Sequence, residues 1–321
     1  RLGGAHTQHS LVAADSCAQA RNGREPMTPR QQFRALLAAP GLVLMPGAYD
    51  GLSARIIEEQ GFQAMVAGGY AAAGSLLGQP DIGQSNMRDF ADHYARICEA
   101  VQIPVYADAD TGFGGVHNVS QMVKAFEKAG VAALFFTDQV FPSRCGYLPG
   151  KQVIETGAML AKLKAALDAR TDASMMICAR TDVFALQGEE EALRRCRLFM
   201  EAGADMAKPQ GIDTPDGIRR VLREVPGPFI ATLSQAAGPA HMSPADLDAL
   251  GVHAATLPSL PLFAAAKAVR DALRDLQTTR SVASVVDRLL PLDDYYAVVR
   301  LDEGLAREKS YDDAAARLLR D

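Results

Sequence analysis

The chain has 321 residues, of which 48% are hydrophobic and 22% charged, and it carries a net charge of −5 with a pI near 5.7. This composition is typical of a globular protein with a buried core, and the acidic balance argues against nucleic acid as a partner. No run approaches the roughly 20 apolar residues of a membrane helix, so we expect no membrane partner.

The first 27 residues are predicted to be an N-terminal extension of the folded chain. Residues 1–27 are rich in alanine, glycine and polar side chains, and they lack the apolar core of a signal peptide. Met27 is a candidate for the original first residue. The five cysteines include no CxxC pair, which argues against a disulfide framework and against a structural zinc site. Both features favour a cytoplasmic location.

Short apolar runs alternate with helical patterns from residue 42 onward, which is typical of successive βα units in a parallel sheet. The predicted strands span residues 42–45, 64–67, 105–107, 132–136, 175–179, 206–208, 229–232 and 254–257. Gly61, Gly130 and Gly203 each supply the left-handed helix cap that lets the chain turn into the next strand. Eight such units predict an α/β fold, a (β/α)8 barrel of the TIM type, over residues 28–277. A Rossmann-like sheet is the alternative, although no strand is followed by GxGxxG.

The last part of the chain, residues 278–321, is predicted to be a helical segment appended to the barrel. Helical patterns run over residues 261–277 and roughly 282–319 without a further strand. An amphipathic segment of this kind packs either on its own barrel or on a neighbouring subunit, and periodicity does not separate these outcomes. An exchange of this segment between subunits therefore stays open.

Two carboxylates follow the third predicted strand. Asp108 and Asp110 are two positions apart, so both point the same way, at the end of the barrel where TIM-barrel active sites lie. Paired carboxylates repel each other unless a cation or a shared proton relieves the repulsion, and hard oxygen ligands suit Mg²⁺ or Mn²⁺. The alternative is that one carboxylate caps the following turn while the other is solvated. We predict a metal site at these two residues.

An arginine and a cysteine are further candidates for chemistry. Arg180 ends the fifth predicted strand, where a guanidinium can bind a substrate carboxylate through two hydrogen bonds, although a purely structural pair with Asp182 is the alternative. Cys145 lies in a loop bounded by proline and glycine, which is a candidate mobile gate. An isolated loop cysteine is usually inert, but the neighbouring Arg144 favours the thiolate.

Taken together, these motifs resemble those of the isocitrate lyase and phosphoenolpyruvate mutase superfamily. The segment ADADTGFGG at 107–115 is accompanied by PGAYD at 46–50, LLGQPD at 76–81, RCG at 144–146 and ARTD at 179–182. They occur in the order and at the spacing of that superfamily. The resemblance covers roughly residues 28–290.

The resemblance implies a magnesium-dependent enzyme that acts on an α-oxo or α-hydroxy carboxylate, usually as a homotetramer with an exchanged C-terminal helix. It implies that Asp110 contacts the metal while Asp108 holds metal-bound water. Arg180 matches the residue that binds the substrate carboxylate, and Cys145, with Arg144 beside it, matches the general acid of the carbon–carbon lyases. Further substrate contacts are predicted at Tyr49, Gly68, Gly69, Tyr70, Asp81, Lys208, Gln210, Thr232 and Ser234.

Several positions depart from the pattern of the superfamily. Its lyases usually carry Lys-Arg-Cys-Gly-His in the gate, where this chain has Ser143 at the first position and Tyr147 at the last. A glutamate that helps to hold the metal shell is replaced by Thr137. Two further carboxylates are replaced by the amides Gln210 and Gln235. These departures predict a weaker metal site than in the superfamily's lyases.

Lys208 ends the sixth predicted strand at a position where the superfamily more often has an aromatic residue. It could pair with the substrate, compensate for the lysine missing at Ser143, or form a Schiff base if it is neutral. A lysine that extends to solvent or pairs with Asp138 is the structural alternative. We predict that Lys208 acts through its charge and forms no covalent bond.

The sequence therefore predicts a magnesium-dependent carbon–carbon lyase. Its substrate would be a substituted 2-hydroxy di- or tricarboxylate of the methylisocitrate or dimethylmalate type, cleaved to an oxo acid and a carboxylate. Hydrolysis or decarboxylation of oxaloacetate, or phosphonopyruvate chemistry, needs the same metal and carboxylate-binding groups and is the first alternative. A catalytically diverged barrel that binds a small carboxylate is the second. The Arg-Cys-Gly sequence at 144–146 favours the lyase.

Overall fold

The computed structural model describes residues 26–146, 148–234 and 242–320. Eight strands alternate with helices along these residues, and each begins and ends within two residues of a predicted strand. The strands are β1 (Val43–Pro46), β2 (Met65–Ala67), β3 (Val105–Asp108), β4 (Ala133–Thr137), β5 (Met176–Thr181), β6 (Met206–Pro209), β7 (Ile230–Thr232) and β8 (Ala254–Leu257). The prediction of eight βα units is confirmed.

The strands form a parallel barrel of the TIM type. Strands β2 to β6 are hydrogen-bonded in chain order, and β1, β8 and β7 form a second set in which the first and last strands of the barrel are neighbours. The two sets meet where the backbone N–H of Ala48 donates to the carbonyl of Val66 at 2.9 Å. Pairing of the first strand with the last closes a barrel, so the Rossmann-like alternative is wrong.

Helices surround the strands, and each strand is followed by a helix. They are α1 (Pro29–Ala38), α2 (Gly51–Glu59), α3 (Gly69–Leu77), α4 (Met87–Ala100), α5 (Val116–Ala129), α6 (Thr156–Ala169), α7 (Phe184–Glu201), α8 (Pro215–Glu224), α9 (Pro244–Leu250), α10 (Leu260–Thr279), α11 (Leu292–Val298) and α12 (Leu301–Leu318). At the end of α5, Gly130 has a φ of 91°, a left-handed conformation that a residue with a Cβ rarely adopts. The predicted glycine cap is confirmed there.

Helix α1 closes the amino end of the barrel. Phe33 and Leu37 of α1 are buried among side chains of the barrel interior, and the ring of Phe33 stacks on that of Tyr106 at 5.8 Å between centroids. Two arginines of α1 form ion pairs with loops at this end, Arg30 with an aspartate at 2.8 Å and Arg34 with another at 2.6 Å. The interior is therefore apolar and closed on this side.

The opposite end of the interior is polar. Side chains alternate along a strand, so the residue two positions after an inward-facing apolar residue also faces inward, nearer the carboxyl end of the strands. Tyr106, Phe135, Cys178, Met206, Ile230 and Ala254 belong to the buried interior cluster. The residues two positions further on form what we call the polar ring: Asp108, Thr137, Arg180, Lys208, Thr232 and Thr256.

The C-terminal segment is helical but more broken than predicted. Helix α10 extends to Thr279, so the predicted boundary after residue 277 falls inside it. Two short 3-10 turns, Val282–Ser284 and Val286–Arg288, replace the start of the predicted second helix. The segment docks on its own barrel where Arg300 pairs with Glu58 of α2 at 2.7 Å. Within the described ranges, no helix is both long and apolar enough to cross a membrane.

Candidate active site

A cavity of about 110 Å³ opens at the carboxyl end of the strands, above the polar ring. Most of the site residues predicted from the sequence line it: Gly68, Gly69, Tyr70, Asp81, Asp108, Asp110, Arg144, Cys145, Arg180, Lys208, Gln210 and Thr232. Two predicted contacts are not among its lining residues. Tyr49 is half-buried at the start of α2, and Ser234 is buried just after β7. The structure thus brings together residues from six of the βα units.

The two aspartates after β3 are held by the backbone. The carboxylate of Asp108 accepts hydrogen bonds from the backbone N–H of Gly69 at 3.1 Å and of Asp110 at 2.9 Å. Asp110 has a φ of 51° and is only 9% exposed. Asp108 therefore does cap the turn, but the alternative in which the second carboxylate is solvated is wrong.

The acidic side chains of the cavity lie close enough to raise one another's pKa. Burial, followed by the charges of Asp108 and Asp110, raises the pKa of Asp81 to about 7. Burial also raises the pKa of Asp110 to about 6, although a hydrogen bond from the Ser143 hydroxyl opposes the rise. Three mutually repelling carboxyl groups in one cavity favour the binding of either protons or a cation.

The donors in the cavity fit a hard divalent cation. Oδ1 of Asp110 is buried and has no hydrogen-bond partner among the described residues, so an oxygen ligand is available there. Carboxylate oxygens are the ligands that Mg²⁺ and Mn²⁺ prefer. No three His, Cys, Asp or Glu side chains converge into a complete ligand set in the described part of the chain. Water and substrate oxygens would therefore supply the remaining ligands, which is usual for Mg²⁺.

Arg180 is fixed by a buried ion pair at the edge of the cavity. Its Nε and Nη2 each donate to a different oxygen of Asp182 at 2.9 Å, and Thr137 donates to the same carboxylate at 2.6 Å. Burial alone would raise the pKa of Asp182, but the charge of Arg180 and these hydrogen bonds hold it below its usual value. Arg180 therefore forms the predicted pair with Asp182 and also lines the cavity as predicted. Both are possible because its Nη1 takes no part in the pair with Asp182.

The loop that carries Cys145 is anchored at several points, and we call residues 141–146 the gate segment. The side chain of Gln139 accepts from the backbone N–H of Arg144 and donates to its carbonyl, both at 3.0 Å. Lys151 donates to the carbonyl of Gly146 at 2.5 Å. The backbone N–H of Cys145 donates to the carbonyl of Asp81 at 3.3 Å. These bonds place the cysteine at the cavity.

Arg180 lies close enough to Cys145 to interact with it electrostatically. Burial lowers the pKa of Arg180, but the charge of Asp182 and the hydrogen bonds to it, followed by the charges of Asp108 and Cys145, raise it. Arg144, the cation that the sequence places beside the cysteine, is exposed, and its Nη1 donates to the carbonyl of Pro149 at 3.3 Å. A thiolate at position 145 would therefore have the buried charge of Arg180 near it as well as the charge in its own loop.

Lys208 lies inside the barrel. It is only 7% exposed, and its Nζ donates to Oγ1 of Thr232 at 2.5 Å and lies 5.9 Å from the ring centroid of Phe135. The alternative of a lysine that extends to solvent is therefore wrong. Asp138, its proposed partner in that alternative, instead pairs with Arg195 at 2.8 Å. Burial, followed by the charge of Arg180, lowers the pKa of Lys208 to about 8.

Two of the residues that depart from the superfamily pattern form hydrogen bonds with aspartates. Ser143, which replaces a gate lysine, hydrogen-bonds Asp110, and Thr137, which replaces a glutamate, hydrogen-bonds Asp182. Gln210 lines the cavity. Tyr147 and Gln235 lie outside the described residues.

Sequence reasoning missed several residues of the site, including three polar ones. Thr256 lines the cavity at the end of β8, and Gln139 and Lys151 anchor the gate segment. The strand-end positions of Thr256 and Gln139 were available as a signal. Lys151 had none, because its contacts depend on how the loop folds back.

Comparison with known proteins agrees with this geometry. A family model for phosphoenolpyruvate phosphomutase matches residues 33–277. The chain belongs to the phosphoenolpyruvate mutase family. The resemblance drawn from the motifs is confirmed, and the chain is an enzyme of the isocitrate lyase and phosphoenolpyruvate mutase type.

Members of the phosphoenolpyruvate mutase family with different activities are similar to the chain. The 2,3-dimethylmalate lyase of Eubacterium barkeri is 34% identical over 285 residues, which cover 89% of this chain and 99% of that enzyme. The structure of oxaloacetate acetylhydrolase with the inhibitor 3,3-difluorooxalacetate has a TM-score of 0.85 and 28% identity, over 90% of this chain and 99% of that one. A phosphonopyruvate hydrolase complex with oxalate and Mg²⁺ has a TM-score of 0.79 and 28% identity, over 89% and 99%.

Proposed function

We propose that this enzyme is a magnesium-dependent carbon–carbon lyase that cleaves the C2–C3 bond of a substituted 2-hydroxy di- or tricarboxylate. One observation carries the proposal: Asp108 and Asp110, Arg180 and Cys145 line a single cavity at the carboxyl end of the barrel. Asp108 and Asp110 would hold a hard cation, Arg180 would bind a carboxylate, and Cys145 would donate a proton. The relative that is 34% identical over nearly its whole length is a lyase for such a substrate.

Arg180 would bind the C1 carboxylate of the substrate. Its guanidinium is already oriented by Asp182, so little side-chain entropy is lost when the carboxylate binds. Asp108 and Asp110, with Asp81 nearby, would hold the Mg²⁺. When bound, this cation would polarise the oxygen on C2 and lower the pKa of the hydroxyl group.

Cys145 would supply the proton that completes the reaction. Once the 2-hydroxyl has lost its proton to water, the C2–C3 bond breaks and its electron pair becomes that of an enolate on the departing fragment, while C2 becomes the carbonyl carbon of the oxo acid. The Cys145 thiol donates its proton to C3 of that enolate and becomes a thiolate. The positive charge of Arg180 stabilises this thiolate, and solvent restores the thiol before the next turnover.

The proposal is tested by calorimetry with oxalate, which resembles the planar 2-oxo carboxylate group of the oxo-acid product. We expect the wild-type enzyme to bind oxalate only when Mg²⁺ is present. Asp110→Ala removes an oxygen ligand and should reduce this binding at least tenfold, whereas Asp168→Ala, an exposed aspartate on α6, should not change it. Equal Mg²⁺-dependent binding by wild type and Asp110→Ala would contradict the proposed metal site.

Hydrolysis of oxaloacetate is the second candidate function. The structural likeness to oxaloacetate acetylhydrolase, with a TM-score of 0.85, is the observation in its favour. A hydrolase needs the same metal and Arg180 but adds water to C2 before the C2–C3 bond breaks, and its departing enolate also takes a proton at carbon. Assays of 2,3-dimethylmalate cleavage and of oxaloacetate hydrolysis therefore separate the two functions.

We infer that the enzyme is a homotetramer in which the exposed apolar surface of α10 and α12 contacts a neighbouring subunit, while Arg300 keeps the C-terminal segment on its own barrel. Large apolar side chains of α10 and α12 are exposed, among them Val269, Leu273 and Leu318. Helix α10 has no buried residue along its whole length. An apolar surface of this kind on a soluble chain usually marks a contact with another protein.

A further inference from the structure

Two buried cations lie side by side in the polar ring. Arg180 on β5 and Lys208 on β6 are register partners in the parallel ladder, so both side chains point into the barrel from adjacent strands. Both line the cavity. They differ in their partners, because Arg180 is paired with Asp182 and Lys208 is not paired with any carboxylate within 4.0 Å among the described residues.

The surroundings of Lys208 supply a hydrogen bond but, among the described residues, no carboxylate at ion-pair distance. Its partner is the hydroxyl oxygen of Thr232, which also accepts from Thr256 at 3.2 Å. The nearest acidic groups that act on it, Asp108 and Asp182, are already engaged by backbone N–H groups and by Arg180. The face of Phe135 contributes a weak cation–π attraction.

A buried cation without a carboxylate partner is costly to the folded protein, because desolvation is not offset by an ion pair. An apolar residue at this position would avoid this desolvation cost, since the interior directly below the polar ring is apolar. A lysine at this position is therefore best explained by an anion that enters the cavity. The hydroxyl of Thr232 has accepted two hydrogen bonds, so its own proton is available to the same anion.

We propose that Lys208 and Thr232 form a second carboxylate subsite on the floor of the cavity, distinct from that of Arg180. The substrate is then a short dicarboxylate whose two carboxylates reach the adjacent strands β5 and β6. Gln210, an amide at the end of β6, lies at the same cavity and adds no negative charge that would repel the second carboxylate. This inference rests on the proposed function only in placing the first carboxylate at Arg180.

The test compares two ligands that differ by one carboxylate. Calorimetry with Mg²⁺ present measures the affinity for 3,3-difluorooxalacetate, an oxo diacid, and for 3,3-difluoropyruvate, the matched monoacid. We expect Lys208→Met to lose tenfold or more in affinity for the diacid and less than twofold for the monoacid and for oxalate. Lys208→Arg keeps a cation and should stay within threefold of wild type for all three ligands.

The matched control is Lys164→Met, which removes an exposed lysine of α6 and should leave all three affinities unchanged. Melting curves verify that each variant is folded. A wild-type enzyme that binds the diacid no better than the monoacid, or a Lys208→Met variant that loses both equally, would overturn the subsite. These outcomes do not depend on whether lyase turnover is found, because binding alone is measured. Absence of any Mg²⁺-dependent oxalate binding would instead count against the proposed function.

Discussion

At the scale of single residues, the carboxylate of Asp182 fixes the orientation of Arg180, the side chain proposed to bind substrate. Arg180 donates to both of its oxygens, Thr137 donates a third hydrogen bond, and Lys151 lies 3.6 Å away. Three donors around one buried carboxylate leave Arg180 little freedom to rotate. The threonine that replaces the superfamily's glutamate thus has a structural role in holding Arg180, even though it is a poorer ligand for a metal.

Cys145 is the residue that would protonate the departing enolate. Cys145→Ser preserves the size of the side chain but offers a much weaker acid, so we expect lyase turnover to fall by about 10²-fold or more. Steady-state kinetics with 2,3-dimethylmalate measures the effect. Cys196→Ser is the control, because Cys196 is buried within α7, away from the cavity. Unchanged turnover in Cys145→Ser would contradict the role of Cys145 as the proton donor.

Lys208 should make the affinity for the diacid 3,3-difluorooxalacetate depend on pH. Burial and the charge of Arg180 lower its pKa to about 8, so it is a cation below that pH and loses its charge as the pH rises further. We expect the ratio of diacid to oxalate affinity to be constant near pH 7 and to fall between about pH 8 and 10. Lys208→Arg should keep the ratio constant over this range, since arginine stays charged. The same alkaline fall in Lys208→Arg would assign the effect to another group.

At the scale of elements, the gate segment is held by side chains from outside it. Gln139 binds both backbone groups of Arg144, and Gly83 packs beneath Pro142 and Ser143 with a φ of 80°. A Cβ at Gly83 would lie 2.7 to 2.9 Å from atoms of those two residues, which is too close for any larger residue. The position of Cys145 therefore depends on Gln139 in its own loop and on Gly83 in the loop between α3 and α4.

Loosening the gate segment should expose the peptide bond after Arg144 to trypsin. Gln139→Leu removes two hydrogen bonds to that residue, so we expect faster cleavage there than in wild type, together with a lower kcat/KM. Mass spectrometry of timed digests locates and quantifies the cut. Arg144→Gln is the control, because it removes the cleavage site. Equal cleavage rates in wild type and Gln139→Leu would show that this side chain does not hold the gate.

The helices and strands could be predicted from the sequence, whereas the contacts between them could be predicted less well. Strands β3 and β5 are short apolar runs that end in polar residues, so they could be located together with Asp108 and Arg180. The environment of Lys208 could not be inferred, because its burial depends on Thr232 and Phe135 from other strands. The anchoring of the gate by Lys151 also joins residues whose proximity depends on loop conformation. The local sequence pattern identifies where a strand ends, whereas the partners of each side chain depend on how the strands and loops pack in the barrel.

At the scale of the whole molecule, the C-terminal helices should determine the state of assembly. We expect light scattering after gel filtration to give the mass of a tetramer for the wild-type enzyme. Replacing Val269 and Leu273 of α10 by aspartate places two charges on the exposed apolar surface and should reduce the mass to that of smaller species. A monomeric wild type would refute the inferred tetramer. The control is Arg274→Ala, an exposed polar position on the same helix.

The closure of the barrel by α1 has a kinetic consequence. Phe33 and Leu37 fill the interior at the amino end, so the cavity opens at the carboxyl end of the strands and not through the barrel. Two fragments formed there by the proposed cleavage would both leave at the carboxyl end, and a fragment that lay between the other one and the opening would leave first. The fragment that remains occupies the free enzyme's substrate site, so it alone should compete with substrate when added as a product. The order of product release thus follows from a helix at the far end of the molecule.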